Sequence, residues 1–257
     1  MSTPRKIAVA GATGRVGRHV VDVLRARGYG VVPMSRSSGV DVVTGSGLEG
    51  ALVGVDCIVD TATGDSPDEQ AATAFFTAAA RNLQEFGERA GVQRIVVVSI
   101  IGIDRFSSGY STAKLAHERA LLSGPIPVRI LRAAQFHEFV AQLVDWGRRG
   151  DVSYVPNGRT QLVAARTVAE ALADLANGSA PGPRWSGLPT LEIAGPREES
   201  LVEAATLLAA RRGDAIRIEG VTNPADQDGH LYEDGALLPG PGAILAGPTF
   251  EEWLGAA

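Results

Sequence analysis

The sequence predicts an α/β protein built on a doubly wound parallel sheet, and three observations carry that prediction. Short apolar runs of strand length recur along the chain, amphipathic stretches separate them, and the first run leads through a glycine-rich turn straight into a helical stripe. The runs are Lys6 to Ala10, Gly30 to Met34, Val55 to Asp60, Arg94 to Ser99 and Pro127 to Leu131. Near-continuous apolarity suits strands buried on both faces, as in a parallel sheet covered by helices. Between them, Val16, Val20, Val23 and Leu24 fall on one helical face. Pro67 to Ala90 reads as a longer helix, with Ser66 as its cap, Pro67 in the first turn and Glu69 completing a capping box. This alternation implies right-handed crossovers with helices on both faces of the sheet.

The composition shifts near Gly150. Residues 1–150 are read as the core of the sheet, and residues 151–257 as its far edge plus a small C-terminal substrate lobe in the same structural unit. Val152 to Val155, Gln161 to Ala165, Leu191 to Ala194 and Ala215 to Ile218 have the look of short strands, with helices around Thr167 to Ala176 and Glu198 to Arg211. Thr249 and Glu252 form a second capping box, and the helix they open carries Trp253 and Leu254, which are expected to dock on the body. Leu237 to Ala243, rich in Pro and Gly, is either a surface connector or a lid over a substrate cleft. No internal repeat or low-complexity tract is present.

A chain of 257 residues, 45% hydrophobic, can bury a sizeable core. Its net charge is −5 with the two signs interspersed, so no positive field favours nucleic acid or a membrane surface, and the expected partner is a small-molecule substrate. An oligomer is compatible with these data. The single cysteine, Cys57, lies in an apolar run and is expected to be a buried thiol, and no metal site is expected. No basic leader or long apolar segment precedes the first strand, so a cytoplasmic protein is expected.

The glycine turn reads Gly11-Ala-Thr-Gly14-Arg-Val-Gly17 between the first strand and its helix. That context matters more than the spacing alone, because strand, glycine turn and helix together make the phosphate cradle of a Rossmann-type dinucleotide domain. Gly11 allows the tight turn, Gly14 lets a pyrophosphate approach, and Gly17 lets the helix lie close to the sheet. The N–H groups of Thr13, Gly14, Arg15 and Val16, aided by the helix dipole, are placed to face the phosphates. The bland alternative is an ordinary glycine-rich turn. At the end of the second strand, where a carboxylate would select NAD, the chain has Ser35-Arg36-Ser37-Ser38. A guanidinium flanked by hydroxyls, with Arg15 nearby, favours NADP(H), with NAD(H) as second choice, unless Arg36 is simply a solvated turn residue.

Tyr110 and Lys114 stand four residues apart at the start of a helix, on one face, after the strand that ends in Ser99. The chain has two lysines, Lys6 and Lys114, so the second is a conspicuous placement. A compact ammonium can bind ribose hydroxyls and stabilise a neighbouring phenolate, which a planar guanidinium does less well. Tyr110 would then exchange a proton with a substrate oxygen while Ser99 hydrogen-bonds it. The alternative is a surface lysine beside a half-buried tyrosine.

The glycine loop, Val98-Ser99-Ile-Ile-Gly-Ile-Asp-Arg105, Tyr110-Ser-Thr-Ala-Lys-Leu-Ala-His-Glu118 and Leu131-Arg-Ala-Ala-Gln-Phe-His-Glu138 together resemble the atypical short-chain dehydrogenase/reductase superfamily, in its NmrA-like NAD(P)-binding branch. The resemblance covers nearly the whole chain. It implies a Ser99, Tyr110 and Lys114 catalytic trio, Thr61, Ala62 and Thr63 near the adenosine or its ribose, and Gln135, Phe136 and His137 beside the nicotinamide or substrate. On its own terms His137 reads equally as a core histidine. The chain departs from the pattern in two places: Thr44-Gly45-Ser46 replaces an acidic residue expected after a third strand near the adenine, and the connection between strands two and three is short. Three functions are consistent with this: an NAD(P)H-dependent oxidoreductase on a small carbonyl, quinone or alcohol, a dinucleotide-sensing protein without turnover, and an epimerase or dehydratase that retains its dinucleotide.

Overall fold

Strand and helix alternate as the apolar pattern dictates. The structure, a computed structural model, describes residues 5–178, 190–222 and 227–256. β1 (Lys6–Ala10), α1 (Gly17–Ala26), β2 (Gly30–Met34), α2 (Leu48–Ala51), β3 (Cys57–Asp60), α3 (Glu69–Ala90), β4 (Arg94–Ile100), α4 (Gly109–Leu122) and β5 (Val128–Ala133) come first. α5 (His137–Gly147) leads to β6 (Arg148–Arg149), β7 (Val152–Pro156) and β8 (Arg159–Thr160), followed by α6 (Ala165–Asn177) and β9 (Thr190–Ala194). β10 (Glu199–Ser200), α7 (Leu201–Arg212), β11 (Arg217–Val221), α8 (Gly229–Glu233), β12 (Ile244–Leu245) and α9 (Phe250–Ala256) complete the order.

The principal sheet is parallel and runs β12-β9-β5-β4-β3-β1-β2. β1 has β2 on one side and β3 on the other, so chain direction through the sheet reverses there, and ligands of such sheets lie beyond the strand ends at that reversal. Register makes the point concrete. Ala10 pairs with both Met34 and Asp60, and Asp60 with Val97. The next residues, Gly11, Ser35, Thr61 and Val98, therefore start side by side in one row along the carboxyl edge. β2 is the end of the sheet, which explains Pro33: opposite Val9, its missing N–H deprives no outer neighbour. Thr44-Gly45-Ser46 lies in the β2–β3 connection rather than after a third strand. There Asp41 closes a local turn, accepting from the Val43 N–H with its side chain and the Gly45 N–H with its carbonyl.

The described residues of Met1–Ser99, Ser108–Leu131 and Val168–Leu191 form one compact unit. Its core includes Ala8, Met34, Ile58, Leu83, Ile95, Leu121 and Ile130, all buried, each contributing about 1.5–3 kcal/mol when the side chain is as large as Val or more. Cys57 is buried there, and burial pushes its thiol up to about 12. The folded protein is accordingly expected to resist thiol alkylation at pH 8 and to take up one equivalent only on denaturation, a contrast that intact-mass measurement reads directly.

Ile100–Ser107, Arg132–Thr167 and the described residues of Glu192–Ala257 form the second unit. Here β6, β7 and β11 make a small sheet, and Val140, Val144, Val155, Leu201, Ala205 and Phe250 share a core. α9 starts as the sequence predicts: the Thr249 N–H donates to Glu252 and the Glu252 N–H to the Thr249 hydroxyl. Leu237 is buried against Phe106, which anchors the start of the Pro-Gly segment. Two expectations need correction. The Gln161 to Ala165 run is no strand, since Val163 alone forms a bridge, with Phe136, and the Glu138 carboxylate accepts the Ala165 N–H and so starts α6 there. The cap of α3 is Asp68, which accepts the Ala71 N–H, and not Ser66, whose hydroxyl accepts from the Asp68 N–H one step earlier. Among the described residues, no helix is long and apolar enough to cross a membrane.

Candidate active site

Steric constraint shapes the phosphate loop. Gly11 has φ of +71°, and a Cβ there would lie 2.7 Å from the Thr61 carbonyl oxygen, so a side chain is excluded on two counts. A Cβ on Gly17 would overlap the Gly11 carbonyl oxygen, so this glycine brings α1 against the loop. Gly14 differs: a Cβ there would meet only that same oxygen, at 3.1 Å, and otherwise open space. The Gly14 N–H closes the turn onto Gly11, while Thr13 is exposed, Arg15 half-buried and Val16 buried at the head of α1. α1 has no acidic residue in its first turn and no side-chain hydrogen bond at its cap residue, Val16, so the positive end of its dipole carries the electrostatic profile of an anion site. These residues fit a dinucleotide diphosphate.

The ends of β2 and β3 flank that loop. Ser35, Arg36, Ser37 and Ser38 form a short 3-10 turn in which the Ser35 N–H donates to the Ser38 hydroxyl. Arg36 is paired with Asp65 at 3.2 Å, but both side chains are largely exposed, at 75% and 81%. Such a pair contributes about 0–1 kcal/mol, less than a phosphate contact would. After β3, Thr61 Oγ1 donates to the Ala10 carbonyl at 2.7 Å, Ala62 is buried, and the Thr63 hydroxyl meets the Tyr110 hydroxyl at 2.9 Å.

α4 carries Tyr110 and Lys114, and α3 fixes it at both ends. The Glu69 carboxylate accepts the Gly109 N–H at the start of α4. Near its other end, the buried Gln84 amide donates to the Leu121 and Ile126 carbonyls and accepts the Ile126 N–H. Glu69 thus serves α4 rather than a capping box of its own helix. Between these ends, the buried ring of Phe76 meets three α4 residues: Tyr110 edge-on at 5.7 Å, His117 stacked at 4.7 Å, and Lys114 with its ammonium 4.6 Å from the ring centre.

Lys114 is buried, and its Nζ donates to the Val98 carbonyl at 3.0 Å and to His117 Nδ1 at 3.1 Å. His117 Nε2 in turn lies 3.0 Å from Asp60 Oδ2, and Asp60 Oδ1 accepts the Ala62 N–H. Burial would raise the Asp60 carboxyl, but the hydrogen bond from His117, with the Ala62 N–H and the Lys114 charge, outweighs it, so this group stays below the usual carboxylate range. Burial, then the Lys114 charge, push His117 down. Burial depresses Lys114 to about 8, against the opposing pull of Asp60 and Glu118. For Tyr110, burial raises the phenol above its ordinary value, against the Thr63 hydrogen bond. Ser99, next to Val98, is 3% exposed, and its hydroxyl meets no partner among the described residues.

The structure thus brings together Gly11, Gly14, Gly17, Thr61, Thr63, Tyr110 and Lys114, with Ser99 next along β4 from the carbonyl that binds Lys114. The second unit holds Gln135, Phe136 and His137. Gln135 Oε1 accepts from the Thr160 hydroxyl, Phe136 is half-buried, and His137 is buried, with Nε2 3.1 Å from the Pro248 carbonyl and its ring beside Phe250 and Trp253. Asp60, Phe76 and His117 were not singled out from sequence. A charged residue closing an apolar strand, and a histidine one turn after Lys114 on the same face, were the available signals.

A glycine cradle at the reversal of a parallel sheet, with Tyr110 and Lys114 on the adjoining helix, defines a dinucleotide-binding protein of the doubly wound class. The model of the NAD(P)H-binding family matches residues 11–177, and the chain belongs to that family. No curated protein matches the chain. Among solved structures, the enzyme WbmH of Bordetella bronchiseptica in complex with NAD+ is similar at 17% identity and a TM-score of 0.73, over 98% of this chain and 97% of that one. A dTDP-4-dehydrorhamnose reductase from Bacillus anthracis in complex with NADP gives 16% identity and 0.73 over 98% of each chain. An NADPH-dependent quinone oxidoreductase from Escherichia coli gives 19% and 0.65, over 97% of this chain and 98% of that one. The fold is shared with these reductases and with the epimerases among the similar structures.

Proposed function

We propose that the protein is an NADPH-dependent reductase or dehydrogenase of a small carbonyl, quinone or alcohol, with Ser99, Tyr110 and Lys114 as its catalytic trio. The observation that carries this reading is the buried Lys114 ammonium one helical turn from a phenol that lies at the loop after β3. A bound dinucleotide supplies the hydride, or accepts it in the reverse direction. Tyr110 gives its proton to the substrate oxygen, or takes one from an alcohol. Lowering a phenol by one pH unit takes about 1.4 kcal/mol of preferential interaction with its charged form, which Lys114 and the oxidised nicotinamide together would supply against the burial that raises Tyr110. The unpaired Ser99 hydroxyl has the capacity to bond the same oxygen. The test is a screen of carbonyls and quinones followed by NADPH absorbance; absence of turnover with every one favours the dinucleotide-sensing reading, which the Thr63 bond on Tyr110 suits.

Preference for NADP(H) is part of the proposal. Arg36 with Ser35, Ser37 and Ser38 supplies donors for a ribose phosphate, and the exposed Asp65 pair is weak enough to yield. A hydrogen bond to a charged group contributes about 1.5–3 kcal/mol, so NADPH is expected to bind about tenfold or more tightly than NADH by calorimetry. Arg36→Glu should remove that margin and leave NADH binding within about threefold of its starting value. Equal affinities in the unsubstituted protein would remove this element.

A further inference from the structure

Neither the phosphate loop nor the Tyr110–Lys114 pair requires a carboxylate and an imidazole behind the lysine, yet Asp60 and His117 are each 1% exposed and joined to it in series. We propose that Asp60 and His117 are positioning residues for Lys114: Asp60 fixes the imidazole tautomer so that Nδ1 accepts from the ammonium, which stays charged with one donor left for a ribose or phenol oxygen. The inference rests on Lys114 being the charged group of the proposed trio.

Hydrogen-bond accounting supports the assignment. An ionised carboxylate only accepts, so the proton between Asp60 and His117 belongs to Nε2. Nδ1 then carries a lone pair and accepts from Lys114. Of three ammonium donors, one goes to His117 and one to the Val98 carbonyl, and the third is left. The groups facing Lys114 are Asp60 at the end of β3, His117 and Glu118 on α4, the Val98 carbonyl on β4 and the Phe76 ring on α3. Stability is a weak explanation of the arrangement, because buried ion pairs are often replaced by apolar side chains without loss. Orientation of the one buried ammonium is a stronger one.

The test exploits the two lysines of the chain. With 13Cε-lysine labelling of the full-length protein, two signals appear, and Lys6→Arg assigns them. Lys114 is expected to titrate near pH 8. In Asp60→Asn the negative charge is gone, and the amide drives the imidazole toward the other tautomer, with Nδ1–H against the ammonium. The Lys114 midpoint should fall by about one pH unit or more, and the NADPH Kd at pH 8 should rise in parallel. His117→Gln keeps one donor and one acceptor, and should hold the midpoint within a few tenths of a unit and the Kd within about threefold. A purely structural role would lower Tm in both variants and leave the midpoint in place, and that result overturns the inference. Should Asp60→Asn not fold, 15N-imidazole spectra of the unsubstituted protein decide: a proton on Nε2 and none on Nδ1 of His117 at neutral pH supports it, and a proton on Nδ1 overturns it. No substrate is needed, so a shifted midpoint without any turnover would count against the oxidoreductase reading and leave this one standing.

Discussion

Tyr110→Phe should lower kcat by about 10²- to 10⁴-fold while leaving the NADPH Kd within about twofold. The asymmetry follows from what the substitution removes. The ring packs edge-on against Phe76, and a phenylalanine ring keeps that contact. The lost hydroxyl bonds to Thr63, an exposed residue, so little stability goes with it. Proton exchange, by contrast, has no substitute at that position. Steady-state kinetics on whichever carbonyl or quinone is turned over, with calorimetry of the cofactor, separates the two quantities. Turnover within about threefold of the unsubstituted protein would show that the phenol is not the proton donor.

The second large effect is expected at two glycines of the same loop, with different signatures. Gly17→Ala forces a Cβ onto the Gly11 carbonyl oxygen, a backbone atom, and to 2.7 Å from the Thr61 hydroxyl, so the loop itself must shift. A destabilisation of about 1–3 kcal/mol and loss of dinucleotide binding should occur together. Gly14→Ala meets only one oxygen, at 3.1 Å, so the fold should lose at most about 1 kcal/mol. With the diphosphate bound at this loop the new methyl would stand in its approach, and NADPH affinity should fall about 10- to 100-fold. Thermal denaturation paired with calorimetry distinguishes a broken loop from a blocked one. Unaltered affinity in Gly14→Ala would place the phosphates elsewhere.

Much of this is legible in the sequence, for identifiable reasons. Strands buried on both faces leave continuous apolar runs, which is why β1, β2 and β4 are close to their expected bounds. Gly11 and Gly17 were legible because their loop admits no side chain. What the sequence hid depends on partners distant along the chain. Glu69 looked like half of a capping box but accepts from Gly109, forty residues on, and Asp68 takes the cap. The strand expected at Gln161 to Ala165 failed because strand propensity has no effect without a neighbour to pair with, and Glu138 started a helix there instead. Asp60 and His117 escaped notice for the same reason, since a buried carboxylate shows its purpose only when its cation is visible. The expected lowering of the Tyr110 phenol also differs from the structure, where burial raises it and Lys114 is engaged with Val98 and His117.

The most direct test of the account is a crystal structure of the complex with NADPH. The diphosphate should lie against the glycine loop at Thr13, Arg15 and Val16, and the nicotinamide should sit beside Tyr110. A carbonyl carbon placed about 3–3.5 Å from nicotinamide C4 should then have its oxygen within hydrogen-bond reach of the phenol. A dinucleotide bound away from the glycine loop, or a nicotinamide directed away from Tyr110, would contradict the account.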